Sequence, residues 1–273
     1  MNTVVEQGRG AVWFSKLTGG SAVVAGYSPS LRVADADLAG QSARYIAVVP
    51  DPHNRFPRAR NGEVGLIEGW ELARAVDEVM TADRDSAIKR PIVAVVDVTS
   101  QAYGRREEGF GIHQALAGAA GAYASARLAG HPVIGLIVGK AMSGAFLAHG
   151  YQANRLIAID DPKVMVHAMG KESAARITLR SVEALEAFAA KVPPMAYDIE
   201  NYTSLGLLWQ SLKLDDPDHP SPADVDKVKQ SLQAALEDIL ADPERDLRSR
   251  FRAEHRRASA KVRQMLRAQW SSG

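Results

Sequence analysis

The sequence predicts an α/β fold, because strand-like and helix-like segments alternate along most of the chain. The nearly continuous apolar and β-branched run PIVAVVDV, at 91–98, is typical of a parallel strand that is buried on both faces. The stretch HPVIGLIVGKAMSGAFLAHG, at 131–150, joins a second such strand to a helix through a turn of small residues. Ligands in such sheets gather at the carboxyl ends of strands, so the fold class directs attention to the loops that follow these two strands.

The first third of the chain contains three predicted strands and one predicted helix. The segments AVWFSKL (11–17) and SAVVAGY (21–27) flank Thr18-Gly19-Gly20, a pattern typical of two strands joined by a tight turn. The segment RYIAVVP (44–50) predicts a third strand. Apolar residues recur at helical spacing over 63–80 and predict a helix.

Beyond the strand at 91–98, the predicted order continues as loop, helix, strand, turn and helix. The alanine-rich segment 110–129 predicts the first of these helices, and the strand at 132–138 follows it. Two short strands, RLIAID and KVMVHAM, come next, and a helix is predicted at 181–191.

The final part of the chain differs in composition. A polar, proline-rich break at 215–227 offers Ser221 or Asp224 as the cap of a helix, and two helices are expected after it. Residues 244–270 contain nine Arg or Lys and three Asp or Glu. This basic segment fits either a solvated amphipathic face or a docking surface for an acidic carrier protein or for phosphates. We therefore divide the chain into a main domain (1–214), a basic helical tail (215–270) and an added linker (271–273).

Composition excludes several classes of function. The 273 residues are 46% hydrophobic and 24% charged with a net charge of +1, so no global field recruits nucleic acid or a membrane. The absence of cysteine excludes disulfides, thiol nucleophiles and thiolate metal sites. No apolar run approaches the ~20 residues of a membrane span, and the N-terminus does not resemble a signal peptide. We expect a cytoplasmic protein without a metal.

The turn AMSGA is the first candidate site. If a helix begins at Ser143 or Gly144, its first amide N–H groups have no partner within the helix, and glycine lets a ligand approach them. This arrangement can stabilise an oxyanion. Close packing between a helix and a strand explains the same small residues.

The second candidate site is the loop VDVTSQAYGRREEGFG, at 96–111. It places several charged residues and Tyr103 directly after a buried strand, where they need solvent, partners or a ligand. An ordinary polar loop with a helix cap at Thr99 or Ser100 is the alternative.

Taken together, the two loops resemble the carboxyltransferase branch of the crotonase superfamily. In that branch an Asp-Thr-Pro-Gly-Ala-Tyr stretch precedes a Glu-Glu pair, and a glycine-rich turn opens the next helix. The residues of this chain that match are Asp97, Ala102, Tyr103, Glu107, Glu108, Ser143 and Gly144. With AVWFSKLTGG and the overall length, the chain is most similar to the γ-subunit family of biotin-independent malonate decarboxylases. Ser100-Gln101 departs from the pattern, because many carboxyltransferases have glycine there.

This resemblance covers about residues 8–240 and implies a crotonase-like ββα superhelix with a helical C-terminal extension. It also implies decarboxylation of a malonyl thioester to an acetyl thioester and CO2, through an enolate stabilised by preorganised amides. The implied catalytic residues are Ser143, Gly144, Ala145, Ala102 and Tyr103, and the implied substrate-binding residues are Gly104, Arg105 and His167. Tyr103, His167 or water would supply the proton that the carbanion takes up.

The resemblance further implies partners and a prosthetic group. The family site lies between this chain and a β subunit of similar fold, within a complex that also has an acyl-carrier subunit and further subunits. The carrier would hold a dephospho-coenzyme-A-type prosthetic group, and this chain would bind no cofactor. The helix at 110–129 would contribute to the heterodimer interface, so we expect a charge at Ala119 or Ala122 to block assembly.

Three other functions remain open at this point. A biotin-dependent carboxyltransferase subunit and a non-catalytic scaffold would share the fold. A serine hydrolase similar to the Clp-protease branch would use Ser143 with Asp160 and His167. In that branch, however, the serine lies one residue further from the glycine, and a slip of one residue rotates a side chain by roughly 100° around a helix. We therefore expect Ser143 not to be a nucleophile directed at His167.

Overall fold

A computed structural model describes residues 8–271 and confirms the α/β class. Within these described residues, seven strands form one sheet, and ten α-helices accompany it. The strands are β1 (Leu31–Leu38), β2 (Gln41–Val48), β3 (Ile92–Val98), β4 (Val133–Met142), β5 (Arg155–Ile159), β6 (Met165–His167) and β7 (Gln210–Leu212). The helices are α1 (Arg9–Thr18), α2 (Leu66–Ala82), α3 (Arg105–Gly109), α4 (Ile112–Leu128), α5 (Ser143–Ala148), α6 (Lys171–Ile177), α7 (Val182–Ala189), α8 (Ile199–Ser204), α9 (Pro222–Ala241) and α10 (Arg257–Ser271).

The sheet has the order β1-β2-β3-β4-β5-β7 and is mostly parallel. Among the strands of the described residues, β1 and β2 form the one antiparallel pair. Strand β4 has two successive neighbours on one side, since its first half pairs with β5 and its last residues pair with β6. This arrangement leaves the carboxyl ends of β3, β4 and β6 at one place in the sheet.

The predicted N-terminal hairpin is wrong. Residues 9–18 form α1, and residues 21–27 form a loop that, within residues 8–271, has one strand-like contact, a bridge between Val23 and Ala34. Trp13, Phe14 and Leu17 are all buried, and in a strand the neighbours Trp13 and Phe14 would point to opposite faces. Gly19 ends the helix in the left-handed region (φ 60°), a conformation in which glycine is least strained.

Helix α1 is tied to a distant part of the chain. Arg9 forms ion pairs with Asp161 (2.8 Å) and Asp218 (2.6 Å). The indole Nε1–H of Trp13 donates to Pro217 O at 3.0 Å. These contacts hold the first helix against the loop after β5 and the segment that precedes α9.

The predicted elements beyond residue 40 are confirmed in kind, with shifted ends. Strand β4 extends to Met142, four residues beyond the predicted end. Strands β1 and β7 and the short helices α3, α6 and α8 were not predicted; these helices have seven residues or fewer and too little periodicity to identify them from the sequence.

The C-terminal helices differ in burial. Helix α9 begins as predicted, with Ser221 as its cap and Asp224 completing a reciprocal capping box. It packs its apolar face into the main core, whereas α10 has no buried residue. The division of the chain at residue 214 stays a prediction. Residues 1–7 and 272–273 lie outside the described residues. The expectation about a leader and most of the expected linker fall on these residues. No helix within residues 8–271 has the length and apolar character needed to cross a membrane.

Candidate active site

The two candidate loops meet at the carboxyl ends of neighbouring strands. Strands β3 and β4 pair in parallel, so the loop after β3 and the turn after β4 leave the sheet side by side. Helix α5 begins at Ser143, as the sequence predicts. The structure therefore brings the two sequence motifs into one site.

Asp97, at the end of β3, fixes the position of this edge. Its Oδ2 accepts a hydrogen bond from Gly10 N–H, and its Oδ1 accepts one from Lys140 N–H, both at 3.0 Å. A side chain at Gly139 would lie 2.1 Å from Asp97 Oδ1, so glycine is required there. Asp97 thus joins α1 to β4 and supports the turn that follows.

Gln101 reaches across from the first loop to the second. Its Oε1 accepts hydrogen bonds from Gly144 N–H at 2.8 Å and from the Ser143 hydroxyl at 3.1 Å. Ser143 has a φ of 62°, in the left-handed region that is uncommon for serine. The amide that the sequence predicts to be open is therefore directed at a side-chain oxygen of the same chain.

The backbone of the first loop is tied to the segment before α2. Val64 N–H donates to Ser100 O at 3.0 Å, and Ala102 N–H donates to Val64 O at 2.9 Å. The amide of Ala102 is thus already paired, and Ala102 itself is buried. Tyr103, the next residue, is 56% exposed and projects from the same loop.

Gly104 and Arg105 form the start of α3. A Cβ atom at Gly104 would lie 2.5 Å from Glu107 Oε2 and 2.6 Å from Arg58 Nε, so any other residue there would require these two side chains to shift. The side chain of Arg105 is exposed, which leaves its guanidinium accessible to an anion from outside the chain.

Ala145 and the far end of α5 are anchored in the core. Ala145 is buried, and its carbonyl accepts the N–H of His149 at 2.9 Å. His149 Nε2 lies 3.0 Å from Val95 O, and its Nδ1 lies 3.0 Å from the Tyr123 hydroxyl. Complete burial lowers the pKa of His149 to about 4, so the ring is neutral near pH 7 and serves to link α5, β3 and α4.

His167 lies beside the turn, and its side chain is held in place by Tyr197 and Met169. In the β4–β6 register it is the partner of Met142, the residue before Ser143. Its ring stacks on Tyr197 with centroids 3.8 Å apart, and its Nδ1 lies 3.0 Å from Met169 O. Burial lowers the pKa of His167, so the imidazole is neutral near pH 7.

The serine-hydrolase arrangement is not formed by the described residues. The Ser143 hydroxyl donates to Gln101, and residues 8–271 contain no hydrogen bond between Ser143 and His167. Within the same residues, no three His, Asp or Glu side chains come together as a potential metal site.

Two residues of this site were not assigned a role from the sequence. Gln101 was noted only as a departure from the family pattern, and its partners are 42 and 43 positions away. His149 carries no local signal, because its partners come from β3 and α4. To predict these contacts from the sequence, one would have needed to know the register in which β3 and β4 pair.

Comparison with known proteins gives a consistent result. Residues 59–270 match the family model described as malonate decarboxylase gamma subunit. A subunit of a Pseudomonas malonate decarboxylase hetero-tetramer in complex with coenzyme A is 66% identical, with a TM-score of 0.93 over 96% of this chain and 99% of that chain. A chain of the Pseudomonas MdcD–MdcE hetero-dimer is 65% identical, with a TM-score of 0.90 and the same coverage.

Two more distant relatives extend the comparison. The malonyl-S-ACP:biotin-protein carboxyltransferase MADD of Malonomonas rubra is 35% identical over 182 residues, which are 65% of this chain and 62% of that protein. The chain thus spans less than two thirds of that relative. Transcarboxylase 12S has a TM-score of 0.63 at 21% identity, over 85% of this chain and 42% of that chain, and this likeness shows a shared crotonase-like fold alone.

Proposed function

Because the chain belongs to the malonate decarboxylase gamma-subunit family, we propose that it forms half of a site that decarboxylates a malonyl thioester. The thioester would be carried by an acyl-carrier subunit, and any dephospho-coenzyme-A-type prosthetic group would belong to that carrier. The other half of the site would come from a β subunit of similar fold.

One observation carries this proposal. The Gly144 amide and the Ser143 hydroxyl converge on a single carbonyl-type oxygen, Oε1 of Gln101. These two donors hold the side-chain amide of Gln101 in place beside the turn, and a preorganised group of hydrogen-bond donors is the arrangement that stabilises an oxyanion. The cluster of Gln101, Ser143 and Gly144 is therefore the part of the chain best suited to an enolate.

The proposed reaction needs charge stabilisation and one proton. The bond between the carboxylate carbon and the methylene carbon breaks, and CO2 leaves. The electron pair remains as an enolate on the thioester oxygen, and the methylene carbon then takes a proton to give the acetyl thioester. Tyr103, which is exposed at the edge of the site, is the first proposed donor, and His167, whose neutral ring would first have to take up a proton, is the second, with water as the alternative.

The surface around this cluster supports a shared site. Tyr103, Phe110 and Leu147 are large apolar side chains from the first loop and α5, and more than half of each is exposed. Exposed aromatic and aliphatic residues beside a site are typical of a surface that a partner covers. The Pseudomonas relative forms the MdcD–MdcE hetero-dimer, and we propose an equivalent partner for this chain.

Reconstitution tests the proposal. We expect the purified chain to release no CO2 from a malonyl thioester, and an equimolar MdcD-type partner to restore turnover in a complex that elutes as a heterodimer. Turnover by the isolated monomeric chain would contradict the shared site. Turnover by the heterodimer only when a biotin protein is added would favour the carboxyltransferase activity named for the Malonomonas relative.

A further inference from the structure

Gln101 occupies an unusual position in the proposed site. A glutamine amide has one acceptor atom and one donor atom, and Gly144 N–H can only donate. The atom that faces it at 2.8 Å is therefore the oxygen, and the Ser143 hydroxyl adds a second donor to the same atom. Both acceptor positions of Oε1 are in use, so the orientation of the side-chain amide is fixed.

The main chain of Gln101 is fixed as well. Gln101 and Val64 form a parallel bridge, flanked by hydrogen bonds from Val64 N–H to Ser100 O and from Ala102 N–H to Val64 O. A Cβ atom at Gly144 would lie 2.1 Å from Gln101 Oε1, so the turn provides space for this side chain only because residue 144 is glycine. Gln101 is held at both ends.

The nitrogen of the same amide remains available. Gln101 Nε2 forms no hydrogen bond with any of residues 8–271. It is also not one of the buried polar side-chain atoms that lack a partner, so it is in contact with solvent. Since Gln101 is only partly buried, this nitrogen is accessible from outside the chain. A rigid amide thus presents two N–H groups beside the turn.

We propose that Gln101 is a catalytic residue whose Nε2–H donates to the thioester oxygen as it becomes an enolate. This inference rests on the proposed decarboxylase function. Gly144 and Ser143 then act as positioning residues, since they hold the oxygen and leave the nitrogen directed outward. Hydrogen bonds accepted by Oε1 polarise the amide and make its N–H groups better donors.

The step is balanced without any further reactant. As CO2 leaves, the electron pair moves onto the thioester oxygen, and Gln101 Nε2–H strengthens its hydrogen bond to that oxygen without losing its proton. Reprotonation at carbon then returns the oxygen to a carbonyl. A preorganised donor of this type accelerates such a step by roughly 10²–10³-fold.

Two substitutions, measured in the assembled heterodimer with a malonyl thioester, test this role. Gln101→Glu keeps an oxygen for Gly144 and Ser143 but has no N–H to donate. Gln101→Ala removes the side chain and opens the Gly144 amide. We expect both variants to lose about 10²-fold or more in kcat, with a much smaller change in KM.

Each alternative role for Gln101 gives a different result. If Gln101 only supports the turn, Gln101→Glu keeps wild-type kcat. If Gln101 only blocks the Gly144 amide until substrate displaces it, Gln101→Ala keeps or raises kcat/KM. Either result overturns the proposal.

The controls separate this inference from the proposed function. Gln233→Ala, on the exposed side of α9, should leave kcat unchanged, and all variants should retain heterodimer elution and wild-type melting temperature within a few degrees. If the wild-type heterodimer itself releases no CO2, the decarboxylase function fails. If wild type turns over and the Gln101 variants match it, only the role of Gln101 fails.

Discussion

At the level of single residues, the side chain of Gln101 fills the space beside Gly144, so a larger residue at position 144 would displace it. A methyl group at residue 144 would lie 2.1 Å from Gln101 Oε1 and 3.2 Å from Gln101 Cδ, distances at which the glutamine must move. We therefore expect Gly144→Ala to lower kcat of the heterodimer by roughly 10²-fold, the loss typical of one oxyanion donor. Measurement of CO2 release from a malonyl thioester checks this expectation.

Gly121→Ala is the matched control for this change. A Cβ atom at Gly121 meets nothing within 4 Å, and the residue lies inside α4. The same chemical change should therefore leave kcat intact and raise the free energy of unfolding by about 0.5–1 kcal/mol, because alanine favours a helix more than glycine does. Equal activity of the two variants would contradict the importance of the space at residue 144.

Sequence reasoning located this site but not its internal contacts. The turn at Ser143-Gly144 could be predicted, because an apolar strand, small residues and a helix follow one another locally. The hydrogen bond that ends on Gln101 could not, because it joins residues 43 positions apart and depends on the register of β3 and β4. The pairing of the Ala102 amide could not be predicted either, because its partner, Val64, comes from the segment before α2.

At the level of elements, α4 is covered mainly by its own chain. Ala119 and Ala122 were expected at the subunit interface, but both are buried in the main core, and α4 packs closely on α2. Gly69 of α2 permits this approach, since a Cβ atom there would lie 2.8 Å from the backbone of Ala115. The expectation that a charge at Ala119 or Ala122 would act through assembly is therefore wrong.

Ala119→Asp should unfold the chain instead. Its side chain would be a carboxylate in a site with 0% exposure, which costs several kcal/mol. Ala117→Asp, two residues away on the exposed face of α4, should change the free energy of unfolding by less than about 0.5 kcal/mol. Urea denaturation of the isolated chain measures both.

The same pair of variants distinguishes folding from assembly. If the exposed face of α4 contacts the partner, Ala117→Asp should weaken heterodimer formation in size-exclusion chromatography while the chain stays folded. A stable, fully assembling Ala119→Asp protein would contradict the packing described for α2 and α4.

Helices and strands were predicted correctly where the pattern of apolar residues in the sequence matches the residues that the fold buries. Helices α2, α4 and α7 and strands β3 and β5 carry clear periodicity or continuous apolar runs, and all were predicted. The segment of helix α1 was predicted as a strand because the apolar residues of AVWFSKL fit both the two-residue period of a strand and the 3.6-residue period of a helix. The decisive contact, between Trp13 and Pro217, comes from a segment 204 residues away.

At the scale of the whole molecule, α9 and α10 have different roles in stability. Helix α9 buries Leu232 completely in the main core, whereas every residue of α10 lies at the surface. The pair Arg257–Glu254 is exposed on both sides and contributes little. Removal of residues 257–271 should therefore change the free energy of unfolding by less than about 1 kcal/mol.

Leu232→Ala provides the comparison, with an expected loss of about 2–5 kcal/mol from the cavity it leaves. Both changes are measured by urea denaturation of the isolated chain. A large loss on removal of α10 would show that the basic helix packs on the chain more tightly than its exposure indicates. If α10 is retained for a partner, its removal should affect binding of the carrier rather than folding.

The ion pair between Arg9 and Asp218 has a consequence for synthesis of the chain. The two residues are 209 positions apart, and at the usual rate of translation roughly 10–40 s pass between their appearance. During that interval the newly made first helix lacks the acidic partner and the Pro217 carbonyl that later hold it. Trp13, Phe14 and Leu17, which the folded chain buries, are then exposed in the nascent chain and can aggregate or pair wrongly until the segment around Pro217 is made.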